Sequence, residues 1–181
     1  MKKLRVSYSL LSTWAKGRVD DAVALYFHMD RPTSKAMEEG KRIHNEIAEF
    51  TRNTGKLPPY LPNITLDKPL PENKIVVSYN EQFDLVAVID CLDSPNLIEY
   101  KTGFRNSLHW SNTKQVPFYF FVCELAGLGI ERGDLIHYNQ FTKNSDFVRI
   151  WNNDSLQEEA RNYIDSLAPE IYDFFIKEGL L

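Results

Sequence analysis

Three charged side chains interrupt an otherwise apolar stretch, FDLVAVIDCLDSPNLIEYKTG from Phe83 to Gly103: Asp90, Glu99 and Lys101. The apolar runs Leu85–Cys91 and Leu97–Ile98 flank the turn signal Asp93-Ser94-Pro95-Asn96, a pattern that predicts a β-hairpin. Side chains alternate along a strand, so Glu99 and Lys101 share one face and Tyr100 takes the other. Asp90 is expected to end the first strand, and the turn brings it back beside the second. Two carboxylates and an ammonium would then meet on a largely buried sheet. Carboxylate oxygens, a backbone carbonyl and water suit Mg²⁺ or Mn²⁺, which prefer hard oxygen ligands. A lysine beside them can hold or activate an attacking water, or offset charge on a phosphate. Hydrolysis of a phosphodiester uses such a set. The plainer alternative is a structural Glu–Lys or Asp–Lys pair on a solvated face. Apolar neighbours on both sides of the charges weigh against it, because an unpaired charge there is costly.

The elements that must position these residues follow from periodicity. Ser7-Tyr8-Ser9 caps a helix reaching Lys16, with Leu10, Leu11 and Trp14 at helical spacing. Pro32 precedes a second helix, Thr33 to Thr51, whose apolar stripe is Ala36/Met37, Gly40, Ile43, Ile47 and Phe50. His44 flanks that stripe. A glycine inside a helix costs about 1 kcal/mol against alanine, so Gly40 suggests a close backbone approach. Gly55 to Pro71 is a proline-rich connection, long for a plain loop, expected to cover one edge of the fold. Lys74 to Ser78 reads as a strand, and Glu81 and Asp84 as turn and strand-start residues. Phe104 to Thr113 is a polar loop carrying Arg105, His109 and Trp110. Arginine pairs with phosphates and bases stack on aromatic rings, so this loop can guide a nucleic-acid strand. Anchoring of the loop by Trp110 is an equal alternative. Lys114 to Ala126 is a helix with Phe118, Phe121, Val122 and Leu125 buried, and Gln115 and Tyr119 lie one turn apart on one face. Strands at Asp134–Tyr138, with a structural His137, and at Phe147–Trp151 follow. A Ser155/Glu158 capping box opens the last helix, which carries a kink or break at Pro169.

Several of these segments together resemble the PD-(D/E)XK nuclease superfamily, within it the RecB-type and CRISPR-associated exonuclease branch. The resemblance runs from about Ser7 to Tyr138. Ser7-Tyr8-Ser9-x-Leu11, Gly40-x3-His44, Val88-Ile89-Asp90, Ile98-Glu99-Tyr100-Lys101-Thr102-Gly103 and Gln115-x3-Tyr119 are similar to that branch's motifs, in its order. Ala87 stands where a glycine is usual and Glu99 where an aspartate is usual. The resemblance implies an α/β fold with a restriction-endonuclease-like αβββαβ core, a central mixed sheet flanked by helices. It implies Mg²⁺ or Mn²⁺ held by His44, Asp90, Glu99 and the Tyr100 carbonyl. Lys101 would act on the water, Gln115 would orient Lys101 or a phosphate, and Tyr119 would line the substrate path. Members of the branch that hold an iron–sulfur cluster use four cysteines. Only Cys91 and Cys123 are present, so no cluster is expected.

Length and composition agree with one domain over residues 1–181, of ordinary soluble make-up: 43% hydrophobic and 25% charged. No apolar run is long enough to span a membrane. The basic start lacks the apolar core of a signal peptide, and two cysteines are too few for a disulfide framework, so the expected setting is the cytoplasm. The net charge of −4 does not advertise a nucleic-acid binder, although basic residues cluster at Lys2-Lys3-Arg5, Lys16-Arg18, Lys41-Arg42 and Lys101-Arg105. The expected partner is DNA, single-stranded or at duplex ends. A helicase or another nucleic-acid-processing protein that delivers it is compatible with the sequence and not specified by it. Two alternatives stand beside the deoxyribonuclease reading: a catalytically silent nucleic-acid-binding or scaffold module of the same fold, and a nuclease acting on RNA.

Overall fold

The computed structural model describes residues 3–29 and 33–181. Lys2 of the first basic cluster and Pro32, expected before the second helix, lie outside the described residues. In chain order the elements are β1 (Leu4–Ser7), α1 (Tyr8–Trp14), α2 (Val19–Tyr26), α3 (Lys35–Thr54), β2 (Leu70–Ser78), β3 (Phe83–Asp93), β4 (Asn96–Thr102), α4 (Ser107–Ser111), α5 (Gln115–Leu125), β5 (Arg132–Tyr138), β6 (Ser145–Trp151) and α6 (Asp154–Lys177). The expected αβββαβ core is α3 through β5. β1, α1 and α2 precede it, α4 is inserted, and β6 and α6 extend it. Among the described residues no helix is long and apolar enough to cross a membrane.

All six strands form one mixed sheet, with parallel β1–β3 and β4–β5 pairs and antiparallel β2–β3, β3–β4 and β5–β6 pairs. β2 covers one edge of β3 from Asp84 to Leu92. A strand has two edges, so β1 and β4 must share the other. β1 takes Phe83–Val86 and β4 takes Cys91–Asp93, which leaves Ala87 to Asp90 without a ladder partner on that side. β3 therefore does not end at Asp90 as the sequence suggested; its backbone continues to Asp93 while its pairing on one edge is interrupted.

Alternation along β4 and β5 separates two apolar clusters. Leu97 and Leu135 join the larger core with α1, α5 and α6 residues, including Leu11, Phe118, Phe120, Phe121 and Phe175. Ile98, Tyr100 and Ile136 join a smaller core with Ile43 and Ile47 of α3 and Leu57 and Leu61 of the proline-rich segment. That segment is thus a lid on the smaller core, tied to the hairpin turn by the buried Asp93 carboxylate, which accepts the Asp67 and Lys68 amides at 3.1 and 2.6 Å.

Several local expectations are corrected. Ala36 and Met37 are exposed, because the buried stripe of α3 starts only at Gly40. The cap of α6 is Asn153, whose side chain accepts the Leu156 amide at 3.0 Å, not Ser155. α6 passes through Pro169 without a break, as its flanks Ala160, Ile164, Ala168, Ile171 and Phe175 are clamped in the core. Leu125 is exposed at the end of α5. Pro117 falls in the first turn of α5, where an amide would have no helical partner anyway.

Gly133 of β5 lets α5 press onto the sheet: a Cβ there would stand 2.8 Å from Val116 Cγ1, 3.1 Å from Leu97 Cδ1 and 3.3 Å from Phe120 Cζ. Gly133→Ala should therefore overpack the core and cost about 1–3 kcal/mol. Thermal melting should show a loss of roughly 2–4 °C per kcal/mol for a chain of this size. An unchanged melting temperature would mean that α5 is not seated this tightly.

Candidate active site

Glu99 is buried in the middle of β4, with 3% of its surface accessible. Burial of a carboxylate demands partners, and they come from two elements. Lys101, two residues on and on the same face, donates from Nζ to Glu99 Oε1. Gln115, at the first position of α5, donates from Nε2 to the same oxygen at 2.6 Å and accepts from Lys101 Nζ at 2.8 Å through Oε1. The three side chains close a ring. The amide can take only this orientation, since the reverse would set its NH₂ against the ammonium. Gln115 Nε2 also donates to Tyr119 Oη at 2.7 Å, and Tyr119 Oη donates to the Val88 carbonyl at 2.8 Å. Val88 lies in the unpaired stretch of β3, so the tyrosine supplies the hydrogen bond that a neighbouring strand would have made. Burial, with the charge of Glu99 adding to it, holds the Tyr119 phenol well above its ordinary value, and it stays a donor.

Asp90 fills the same interruption from the other side. Its Oδ2 accepts the Tyr100 amide at 2.7 Å, in place of a strand carbonyl. Its Oδ1 lies 3.5 Å from His44 Nδ1 on α3. Burial works against the His44 imidazolium. The hydrogen bond and charge of Asp90, with the charge of Glu99 behind them, outweigh it and raise the His44 value. α3 reaches this position because Gly40 allows contact with β4: a Cβ on Gly40 would stand 2.8 Å from Thr102 Oγ1.

Tyr100 itself points into the smaller core, as alternation requires, so only its backbone belongs to this group. Trp110 packs against the larger core, donates from Nε1 to the Arg105 carbonyl at 3.2 Å, and sets its ring centroid 5.7 Å from Lys101 Nζ. It is both an anchor for the loop and a wall beside the lysine, within cation–π range. Arg105 is exposed and lies 2.7 Å from His109 Nε2, outside the Glu99 ring. The loop contains the short helix α4, which was not expected. Asp146 holds it by accepting the Ser107 amide at 2.8 Å. The buried His137 links Asp146 to the Gly103 carbonyl at the end of β4, 2.9 Å from Nε2.

Could this group hold a divalent cation? Among the described residues no cluster of three or more His, Cys, Asp or Glu side chains is already drawn together as a metal cage. The donor set nevertheless fits a half-site completed by water. Glu99 Oε2 is buried and has no hydrogen-bond partner within the protein, so it is free to take a cation or water. Asp90 Oδ1 faces the same interruption. Mg²⁺ and Mn²⁺ are commonly bound through one or two carboxylates with several retained waters. Lys101 spends two of its three donors on Glu99 and Gln115, which leaves one for a water or a phosphate oxygen.

No family model matches the chain, and no curated protein matches it in sequence. Solved structures do match. An alkaline exonuclease from Laribacter hongkongensis superposes with a TM-score of 0.56 at 15% identity, over 97% of this chain and 93% of that one. The same exonuclease in complex with dAMP gives 0.55 at 16% identity, over 96% and 93%. A phage-related exonuclease from Haemophilus somnus gives 0.52 at 14%, over 91% and 83%. The chain shares their fold. At these identities the likeness is one of architecture: a central mixed sheet flanked by helices.

The Glu99 carboxyl gives a pH test of whether a cation binds here. Burial, reinforced by the Asp90 charge and opposed by Lys101, raises it from 4.5 to about 8. Between those values the folded, metal-free chain holds a proton that the unfolded chain has lost, so stability falls as pH rises through the window. His44, also raised, adds in the same direction. A cation binds the ionised carboxylate, so the gain in melting temperature on adding Mg²⁺ over EDTA should grow with pH across that window. Glu99→Gln should abolish the gain. A Mg²⁺ effect independent of pH would place the cation elsewhere.

Proposed function

We propose that the chain is a metal-dependent deoxyribonuclease of exonuclease type, with Asp90, Glu99, Lys101 and Gln115 at its centre. One observation carries the reading: a buried carboxylate with an unpartnered oxygen, Glu99 Oε2, stands in a ring with Lys101 and Gln115 beside an interrupted strand edge. The likeness of fold to exonucleases supports it, one of them in complex with the nucleotide dAMP. The motif order that resembles the RecB-type branch assigns the same residues.

In this reading Asp90 and Glu99 would hold Mg²⁺ or Mn²⁺, with the Tyr100 carbonyl and His44 completing the ligand set. His44 would have to give up its proton to do so, since only a neutral imidazole ligates. A cation held there would supply Lewis acidity, lowering the pKa of water and drawing charge from the phosphate. The protein's own groups do the rest. Lys101, fixed by Glu99 and Gln115, turns its remaining N–H towards the water or the phosphate oxygen on which charge accumulates. Gln115 keeps the ammonium from swinging away. Tyr119 holds the Val88 carbonyl, keeping open the edge where the strand enters. The water oxygen bonds to phosphorus, one P–O ester bond breaks, the water loses a proton and the departing oxygen gains one. Trp110 and Arg105 flank the approach.

Asp90→Asn, Glu99→Gln and Lys101→Ala should each lower cleavage of end-labelled DNA by several orders of magnitude in Mg²⁺ or Mn²⁺. An amide is a poor substitute for an anionic ligand, and Lys101 acts mainly on the transition state, so its loss should fall on kcat. The Glu99→Gln/Lys101→Ala double variant should be scarcely worse than either single one, because the residues act as a unit. DNA binding in Ca²⁺ rests on many phosphate contacts and should change little. Near-normal cleavage by Lys101→Ala would overturn the assignment. A wild type that binds DNA but cuts neither DNA nor RNA with any divalent metal would leave the silent binding module in its place.

A further inference from the structure

A cleft of about 850 Å³ ends at Tyr119, the neighbour of Gln115 in the Glu99 ring, and apart from Tyr119 and Val88 its lining has no part in the chemistry above. It touches the ring through Tyr119 and Val88, the two groups joined by the hydrogen bond that closes the site. From there it runs back along β3 past Val86 to Asp84. Burial alternates along β3 from Phe83 to Cys91, and Asp84, Val86, Val88 and Asp90 are the open positions, so the cleft floor is the face that carries Asp90. The walls are β1 and α1 with α2, the helix the sequence did not reveal.

The lining has the two features of a single-strand path. Lys3, Arg5 and Lys74 supply positive charge, and Tyr8, Tyr26 and Phe27 supply aromatic rings. Lys3 is occupied, 3.4 Å from Asp84. Arg5 and Lys74 are exposed and, among the described residues, pair with no carboxylate. They stand across the floor from each other, Arg5 in register with Asp84 and Lys74 with Val88. Cations at the edges and rings on one wall match phosphates and bases of an unpaired strand.

Its position decides which part of the strand it holds. β1 and β4 flank the interrupted edge, and the α4 loop packs beyond β4 on β5 and β6. The loop side carries Arg105 and the exposed, stacked pair Phe104 and Phe141, 4.3 Å apart, on an open surface. The cleft lies on the opposite side, a half-open concavity bordered by α1 and α2. Bulky nucleic acid fits the flatter side; a strand end fits the concave one. The floor from Val88 to Asp84 is roughly 13 Å at the rise of a strand, long enough for about two to four nucleotides at ~3.4 Å each when stacked.

We propose that this cleft receives the end of the strand, about two to four nucleotides long, and that hydrolysis beside Glu99 releases it as a short oligonucleotide. The inference rests on the nuclease reading above. One hydrolysed phosphodiester, with one water consumed, releases one oligonucleotide; a site without such a cleft would release mononucleotides.

The test is product length. The full chain in Mg²⁺ digests single-stranded DNA labelled at either end, and early products are resolved on a sequencing gel. Products of about two to four nucleotides before any mononucleotide are expected. Val86→Trp narrows the floor and should shorten the first products by about one or two nucleotides at the same ~3.4 Å spacing. Arg5→Ala/Lys74→Ala should raise KM about tenfold more than it lowers kcat. Binding measured in Ca²⁺ should lose about 0.7 from the logarithmic salt slope for each phosphate contact removed, a change that a merely structural role would not produce. Mononucleotides from the first time point overturn the inference and leave the nuclease reading standing. A wild type that cuts nothing overturns both.

Discussion

Glu99 is a charge that a sheet should not contain, and the architecture around it is organised to tolerate it. Moving a carboxylate out of water costs several kcal/mol even after relaxation, and a single partner seldom repays that. Here one oxygen receives both an ammonium and an amide N–H. The other receives nothing. A purely structural ion pair would satisfy both oxygens, because a half-satisfied buried network is worse than an apolar core. The buried carboxylate is therefore a cost retained in the folded protein, and burial, reinforced by the Asp90 charge, raises its value. Such a cost is expected where the chain gains something other than stability.

The gain comes from the way β3 is shared. A strand fully paired on both edges has no room for a substrate. β1 and β4 divide one edge of β3 and leave a short opening between them. Open strand edges carry unsatisfied backbone groups, and the chain covers these with side chains. Tyr119 takes the Val88 carbonyl and Asp90 takes the Tyr100 amide. Both residues thus maintain the opening and also stand in it. Gly133 and Gly40 make this work at a distance, since each lets a helix approach the sheet more closely than a Cβ would allow. α5 can then deliver Gln115 and Tyr119, and α3 can deliver His44.

This logic explains what could be read from the sequence. Asp90, Glu99 and Lys101 were visible because charges inside apolar strands are anomalous on any pattern. The hairpin followed from the turn residues Asp93 to Asn96, though not its pairing register. Gln115 and Tyr119 were visible only as an i, i+4 pair, and the resemblance of motifs gave them a role. β1 was missed: four residues, Leu4–Ser7, offer too short an alternation to outweigh the cap that follows. α2 was missed because its N-cap, Arg18, makes no side-chain capping bond and Ala22 is its sole buried residue. The interruption in β3 has no local signal at all. It arises from which strands share an edge, a long-range property, and so the cleft walled by β1 and α2 could not be read from the sequence.

Charge places a further constraint on how such a site operates. The chain carries a net −4, and Asp90 and Glu99 face the opening with a single lysine between them and a phosphate. Without a cation, a phosphodiester approaching this centre would meet the charge of Asp90 and, above its raised value, that of Glu99, only partly offset by Lys101 and the exposed Arg105. A bound divalent cation would be the largest local charge and would reverse the sign of the field. The same ion would give Glu99 Oε2 the partner the fold withholds. In such an arrangement metal and substrate share one dependence. In the proposed reading the opening would become attractive to a phosphate once a cation took up the free Glu99 oxygen. Of the positive groups that need no metal, Lys74 stands at the near end of the cleft, beside Val88, and Arg5 at the far end, beside Asp84, where they can hold the strand without competing for the cation's ligands.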